Sequence, residues 1–202
     1  MPREATLRRE TKETTIEVTL RLEGRGEVDV ATGIGFFDHM LSAWALHGRM
    51  DLRCRVEGDL HVSQHHSVED AGLVLGAALL RALGDKRGIV RYGHAYVPMD
   101  EALVRCALDL SGRAYAQVEI PFQPALGPVG FDYALTHEFF WALARGAAMT
   151  VHVDGLRGRS NHHLCEAAFK ACGQALRSAV ALDERLGDAL PTTKGAFDGG
   201  SP

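Results

Sequence analysis

Two stretches of this chain carry one polar pattern. Residues 63–72 read SQHHSVEDAG and residues 160–169 read SNHHLCEAAF, so His-His-x-x-Glu occurs twice. The first histidines, His65 and His162, are 97 positions apart (65 to 162). Each copy heads a long apolar run with helical spacing, AGLVLGAALL after the first and AAFKACGQALRSAV after the second. A pattern repeated at a fixed interval marks internal duplication, and it limits the fold to one built from two like halves.

The rest of the chain repeats in the same order. TIEVTLRLEG (15–24) alternates apolar and polar residues as a strand does, GEVDVAT continues as a second strand, and MDLRCRVEGDLHV alternates again. Between the last two, GFFDHMLSAWALHG is spaced like a helix face, and HHSVEDAGLVLGAALLRALG is a long helix closed by Gly84. DKRG at 85–88 is a polar turn at the midpoint. Beyond it, YGHAYVPM, EALVRCALDLSG and RAYAQVEI read as strands, YALTHEFFWALARGA as a helix, MTVHVDG as a strand and HHLCEAAFKACGQALRSAVAL as a helix. The expectation is a first half over 1–88, a second over 89–185, and a C-terminal tail over 186–202 of flexible composition, with the halves sharing one compact domain. Strands grouped before helices favour an α+β architecture, each half a sheet with two helices packed on one face.

Three polar residues at each helix head do not fill a core. On a helix, residues four apart share a face and adjacent residues diverge by about 100°. His65 and Glu69 therefore point together while His66 points elsewhere, and His162, Glu166 and His163 repeat the arrangement. Each helix can offer two ligands to one metal ion and one to another. Each half also carries a histidine on its preceding helix, His39 in GFFDHML and His137 in LTHEFF, at nearly the same interval. Six histidines and two glutamates make four ligands for each of two ions, with positions left open for a substrate. Imidazole and carboxylate without thiolate suit manganese, iron or zinc. One such motif alone would fit a solvated helix start; two copies with matching upstream histidines favour metal binding. His61, His94 and His152 fall in strand patterns and are read as structural. His47 closes a helix, where it can interact with the dipole.

Composition excludes several classes. The formal net charge of −4 speaks against a nucleic-acid binder. No apolar run approaches the ~20 residues that span a bilayer, and the first residues lack the apolar core of a secretory signal. Cys54, Cys106, Cys165 and Cys172 form no C-x-x-C pair, as expected of buried thiols in a reducing, cytoplasmic setting. An anionic ligand would need a local basic cluster. PTTKG (191–195) can wrap an oxyanion through backbone N–H groups and Lys194, and Arg91, Arg113 and Lys170 join it as one candidate anion site.

TGIGFFDHML, HHSVEDAGLVLG, RYG with VPMDEAL, DLSGRAY, NHHLCEAAFKA and TTKG, in this order from about Arg9 to about Gly195, resemble the imidazoleglycerol-phosphate dehydratase family. The resemblance implies a lyase of histidine biosynthesis that eliminates water from D-erythro-imidazole-glycerol 3-phosphate to give imidazole-acetol phosphate. It implies duplicated halves of the ribosomal protein S5 domain 2-like kind, two Mn(2+) per active site that bind the imidazole(ate) ring, and a homo-oligomer of 24 subunits with sites where subunits meet. A single chain would then lack an intact site. By motif, one ion takes His39, His66, His162 and Glu166; the other takes His65, Glu69, His137 and His163. Glu13 corresponds to the acid/base glutamate. His47, Arg91, Arg113, Lys170, Thr192, Thr193 and Lys194 correspond to substrate contacts, the last six gripping the phosphate. Gln64, Ser160-Asn161 and Thr192 depart from the usual pattern and leave every ligand in place. The alternative enzyme class is a dinuclear metallohydrolase of a phosphate ester; the alternative outside enzymes is a metal-binding shell.

Overall fold

A computed structural model describes residues 3–197. The first half comprises strands β1 (Glu4–Glu10), β2 (Thr14–Arg21) and β3 (Val28–Ala31), helix α1 (Gly35–Gly48), strand β4 (Asp51–Gly58) and helix α2 (His65–Leu83). The second repeats that order with β5 (Tyr92–Met99), β6 (Ala102–Asp109), β7 (Tyr115–Glu119), α3 (Leu135–Ala147), β8 (Thr150–Arg157) and α4 (Asn161–Val180). The sheets have the same topology, β1-β2-β4-β3 and β5-β6-β8-β7, each with one parallel pair at its edge. The architecture is α+β with duplicated halves.

Alternation builds each sheet. Ile16, Val18 and Leu20 on β2 and Leu52, Cys54 and Val56 on β4 are buried, while their neighbours face outward. β1 escaped the sequence reading. Its burial pattern, with only Ala5 fully covered, is that of a polar edge strand. The strand expected through residue 62 stops at Gly58, because the carbonyl of Asp59 accepts the N–H of Val62 (2.7 Å) and of Ser63 (3.3 Å) and closes a turn. His61 therefore lies in that turn and not in a strand. His94 and His152 do lie on strands, exposed on the outer face of the second sheet.

Each helix stays on its own half's sheet and packs against a helix of the other half. α1 and α2 cover the first sheet, α3 and α4 the second, and α1 crosses α4 while α2 crosses α3. All four lie between the sheets around one apolar core. The two crossings are matched. A Cβ on Gly173 would stand 2.3 Å from the Trp44 carbonyl oxygen and 3.0 Å from the Gly48 nitrogen; one on Gly76 would stand 2.4 Å from the Leu143 oxygen. Gly146 meets the Leu73 oxygen at 2.2 Å by the same test. Backbone thus touches backbone where the helices cross, bringing the head of each ligand helix beside the helix that carries the upstream histidine. Arg49 and Ala148, both in the left-handed region, close α1 and α3 at corresponding points.

The tail folds back on the midpoint turn. Gly88 donates to the Ala189 carbonyl (3.0 Å), and Arg91 donates through Nη1 to that of Pro191 (2.7 Å). The final stretch, FDGGSP, lies beyond the described residues from position 198 onward. No described helix is long and apolar enough to cross a membrane.

Candidate metal centre

At the α1–α4 crossing, His39, His162 and Glu166 place a ligand atom each within 4.8 Å of one another. The Nε2 atoms of His39 and His162 lie 3.3 and 3.1 Å from Glu166 Oε2. Glu166 is nearly buried, and its other oxygen accepts from Lys170 Nζ at 2.6 Å. Burial alone would raise its carboxyl pKa, but the Lys170 and His39 contacts outweigh it and hold the group below its ordinary value. His47, from the end of α1, faces the same cluster; burial and then Lys170 lower its pKa and favour the neutral ring. Two imidazoles and a carboxylate, His39 from the first repeat and His162 and Glu166 from the second, fit manganese, iron or zinc. The adjacent Cys165 thiol is not competitive, since burial pushes its pKa up to about 12 and Thr136 lies against it.

The other half holds the counterpart. His65 Nε2 and Glu69 Oε2 are 3.5 Å apart at the head of α2, and His137 stands exposed on α3, the helix that α2 crosses. Among the described residues the compact three-ligand cluster includes no group from α2. Of the first four-ligand set, His66 alone is outside it. His66 and His163 point away from their neighbours, and each is held by an acid. His66 Nδ1 donates to Asp59 (3.1 Å), which raises its pKa. His163 Nδ1 donates to Glu101 (2.8 Å). Glu101 also accepts the N–H groups of Ser160 and Arg159, and its pKa falls to about 2, with His163 the largest cause.

Glu13 sits in the β1–β2 turn with a carboxylate oxygen 3.9 Å from His66 Nε2. Its carbonyl accepts the Asp59 N–H, Thr11 Oγ1 accepts its own N–H, and Thr14 Oγ1 donates to buried Asp70 at 2.5 Å. The turn is thereby tied to the head of α2. The basic residues divide. Arg91, Ser111, Arg113, Thr192, Thr193 and Lys194 line one cavity of about 180 Å³ against the tail. Arg91 is also clasped by Asp109 at 2.7 and 3.1 Å, which raises its pKa further. Lys170 lies elsewhere in the chain, on Glu166.

A family profile described as imidazoleglycerol-phosphate dehydratase matches residues 32–176. A protein of that name from Granulibacter bethesdensis is 53% identical over 198 residues, spanning 98% of this chain and all of its own. One from Desulforamulus reducens is 53% identical over 195 residues, 96% of this chain and 98% of its own. The chain belongs to the imidazoleglycerol-phosphate dehydratase family. The fold agrees. A crystal structure of the Pyrococcus furiosus enzyme superposes with a TM-score of 0.81 at 39% identity, covering 95% of this chain and 100% of that one. The Staphylococcus aureus dehydratase superposes at 0.78 and 35%, covering 89% and 99%.

In this dehydratase-family chain, sequence reasoning missed Asp59, Glu101 and Asp70. Asp59 follows a strand end, Glu101 stands in a hairpin turn and Asp70 lies beside a glutamate already assigned, all places where solvated carboxylates are common. Only their contacts single them out.

Proposed function

We propose that the chain is a manganese-dependent lyase converting D-erythro-imidazole-glycerol 3-phosphate to imidazole-acetol phosphate in histidine biosynthesis. The carrying observation is the convergence of His39, His162 and Glu166 from opposite repeats in a member of this family. His39, His66, His162 and Glu166 would hold one ion, and His65, Glu69, His137 and His163 the other. Bound there, the two ions would supply Lewis acidity to the nitrogens of the substrate's imidazole ring.

The chain's own groups do the rest. Elimination needs a proton taken from carbon and one delivered to the departing hydroxyl. Glu13, on a turn fixed by Thr11, Thr14 and Asp59, is the carboxylate that moves them. The cavity of Arg113, Thr192, Thr193 and Lys194, with Arg91 bracing its wall, would grip the phosphate and align the glycerol chain. Lys170 and His47 would contact substrate from the Glu166 side. The compact cluster takes no ligand from α2, which supports sites completed between chains; the assembly we propose for them is a shell of 24 subunits.

The test is turnover of imidazoleglycerol phosphate with both ketone product and inorganic phosphate followed. Ketone without phosphate, abolished by a chelator and restored by manganese, is the expected result. Phosphate release would mean a metallohydrolase instead.

A further inference from the structure

The two halves hold their outward-pointing histidines with different acids. Six residues, 59–64, connect β4 to α2, and the first of them, Asp59, takes His66 Nδ1. Three residues, Gly158, Arg159 and Ser160, connect β8 to α4, and none is an acid. The missing carboxylate comes from the neighbouring hairpin, whose strand β6 pairs directly with β8. Glu101 is the last residue of the β5–β6 turn and accepts His163 Nδ1–H through Oε2 while its Oε1 accepts two N–H groups of the short connection.

Glu101 has a counterpart in the other half. Glu13 ends the β1–β2 turn as Glu101 ends β5–β6, and each immediately precedes the first, buried residue of the inner strand, Thr14 or Ala102. Duplication therefore offers one hairpin glutamate to each histidine. In the first half Asp59 occupies Nδ1, and Glu13 stands 3.9 Å from the opposite nitrogen, Nε2. In the second half Glu101 occupies Nδ1 itself.

We propose that Glu101 is a positioning residue for the metal centre: by accepting the His163 Nδ1 proton it fixes the ring so that Nε2 faces outward as a ligand, the office Asp59 performs for His66. A carboxylate on the far nitrogen sets the tautomer and raises ligand basicity, and losing one commonly lowers metal affinity 10–100-fold. The longer 59–64 connection, by supplying its own acid, is what leaves Glu13 available for proton transfer. This inference rests on the metal reading of the site.

The experiment is a manganese titration of the assembled, chelator-stripped protein by calorimetry, with bound ion counted by paramagnetic resonance. Wild type, Glu101→Ala, Glu101→Gln and Asp59→Asn are compared, with melting temperatures measured alongside. The expected result is two ions per wild-type chain. Glu101→Ala should weaken one affinity about 10–100-fold, Glu101→Gln likewise because its one oxygen stays with the Arg159 and Ser160 N–H groups and turns an amide nitrogen, which cannot accept a proton, toward His163 Nδ1, and Asp59→Asn should weaken the other affinity. If Glu101→Ala does not fold, Glu101→Gln carries the test, since it retains an oxygen for the Arg159 and Ser160 N–H groups. Unchanged affinities, with only a lower melting temperature, would reduce Glu101 to a fastener of the helix start and overturn the proposal. A wild type that binds no metal would overturn the metal reading and this inference with it; a two-ion wild type with unaffected Glu101 variants overturns the inference alone.

Discussion

Glu13 and Glu101 show how a residue's work depends on what its neighbours already satisfy. Both end hairpin turns, yet Glu101 is engaged by three donors and Glu13 keeps a carboxylate near the outer face of His66. Replacing Glu13 by Gln should lower kcat by about 10²–10⁴-fold, the usual worth of a general acid–base group. Bound manganese and melting temperature should stay as in wild type; full turnover with normal metal content would exclude the proton-transfer role. A second residue-scale effect is electrostatic and involves none of the candidate metal ligands. Burial would raise the Asp51 carboxyl, but its acceptance of the Arg25, Gly26 and Glu27 N–H groups wins and lowers its pKa below 3.8. Unfolding lets Asp51 bind a proton more readily. Its contribution to stability is therefore present above pH 3.8 and is lost as pH falls through the lower folded value. Asp51→Asn should lower the melting temperature at neutral pH and lessen its decline below pH 3.8, as read from melting curves across that range.

At the scale of elements, the helix pairs that cross between the halves decide where ligands meet. The α2–α3 crossing requires glycine on both helices, Gly76 and Gly146, and the α1–α4 crossing requires it on α4, at Gly173. Gly173→Ala or Gly76→Ala must force apart backbones at 2.3 or 2.4 Å from the added carbon. The cost expected for such overpacking is about 1–3 kcal/mol, measurable by denaturant unfolding. Gly35→Ala supplies the contrast, because an added carbon there meets nothing within 4 Å. It should be neutral or stabilise by about 0.4–1 kcal/mol. Equal losses at all three would mean that the crossings are not held by close backbone approach. Separating α1 from α4 would also part His39 from His162 and Glu166, so the Gly173 variant should lose metal affinity along with stability.

For the whole molecule, the proposal of sites completed between chains has a direct consequence. His39→Ala damages the group at the α1–α4 crossing, and His137→Ala damages the group at α2–α3. Each variant alone should be inactive. Co-assembled at random in equal amounts, they should place both intact groups together at about a quarter of the sites, by the symmetry of a homo-oligomer. Recovery to about that fraction of wild-type activity is expected after joint refolding or co-expression. No recovery, in mixed assemblies shown to contain both variants, would assign each site to a single chain.

The periodicities and the two His-His-x-x-Glu motifs determined the duplicated α+β plan and singled out the candidate metal ligands, because helix and strand geometry act over a few neighbours. They did not reveal β1, whose polar edge pattern carries little hydrophobic signal, or the turn that removes His61 from its strand, which rests on one carbonyl accepting two N–H groups. Nor did they reveal that α1 crosses α4 rather than its sequence neighbour α2, though Gly48, Gly76, Gly146 and Gly173 recur at nearly the interval of the histidines. Close approach of two helices is a property of both surfaces at once. The pairings of Asp59 with His66 and Glu101 with His163 were likewise decided only in three dimensions. A carboxylate reads as solvated until the chain brings a ring nitrogen within hydrogen-bond distance, and for Glu101 that nitrogen lies 62 residues away.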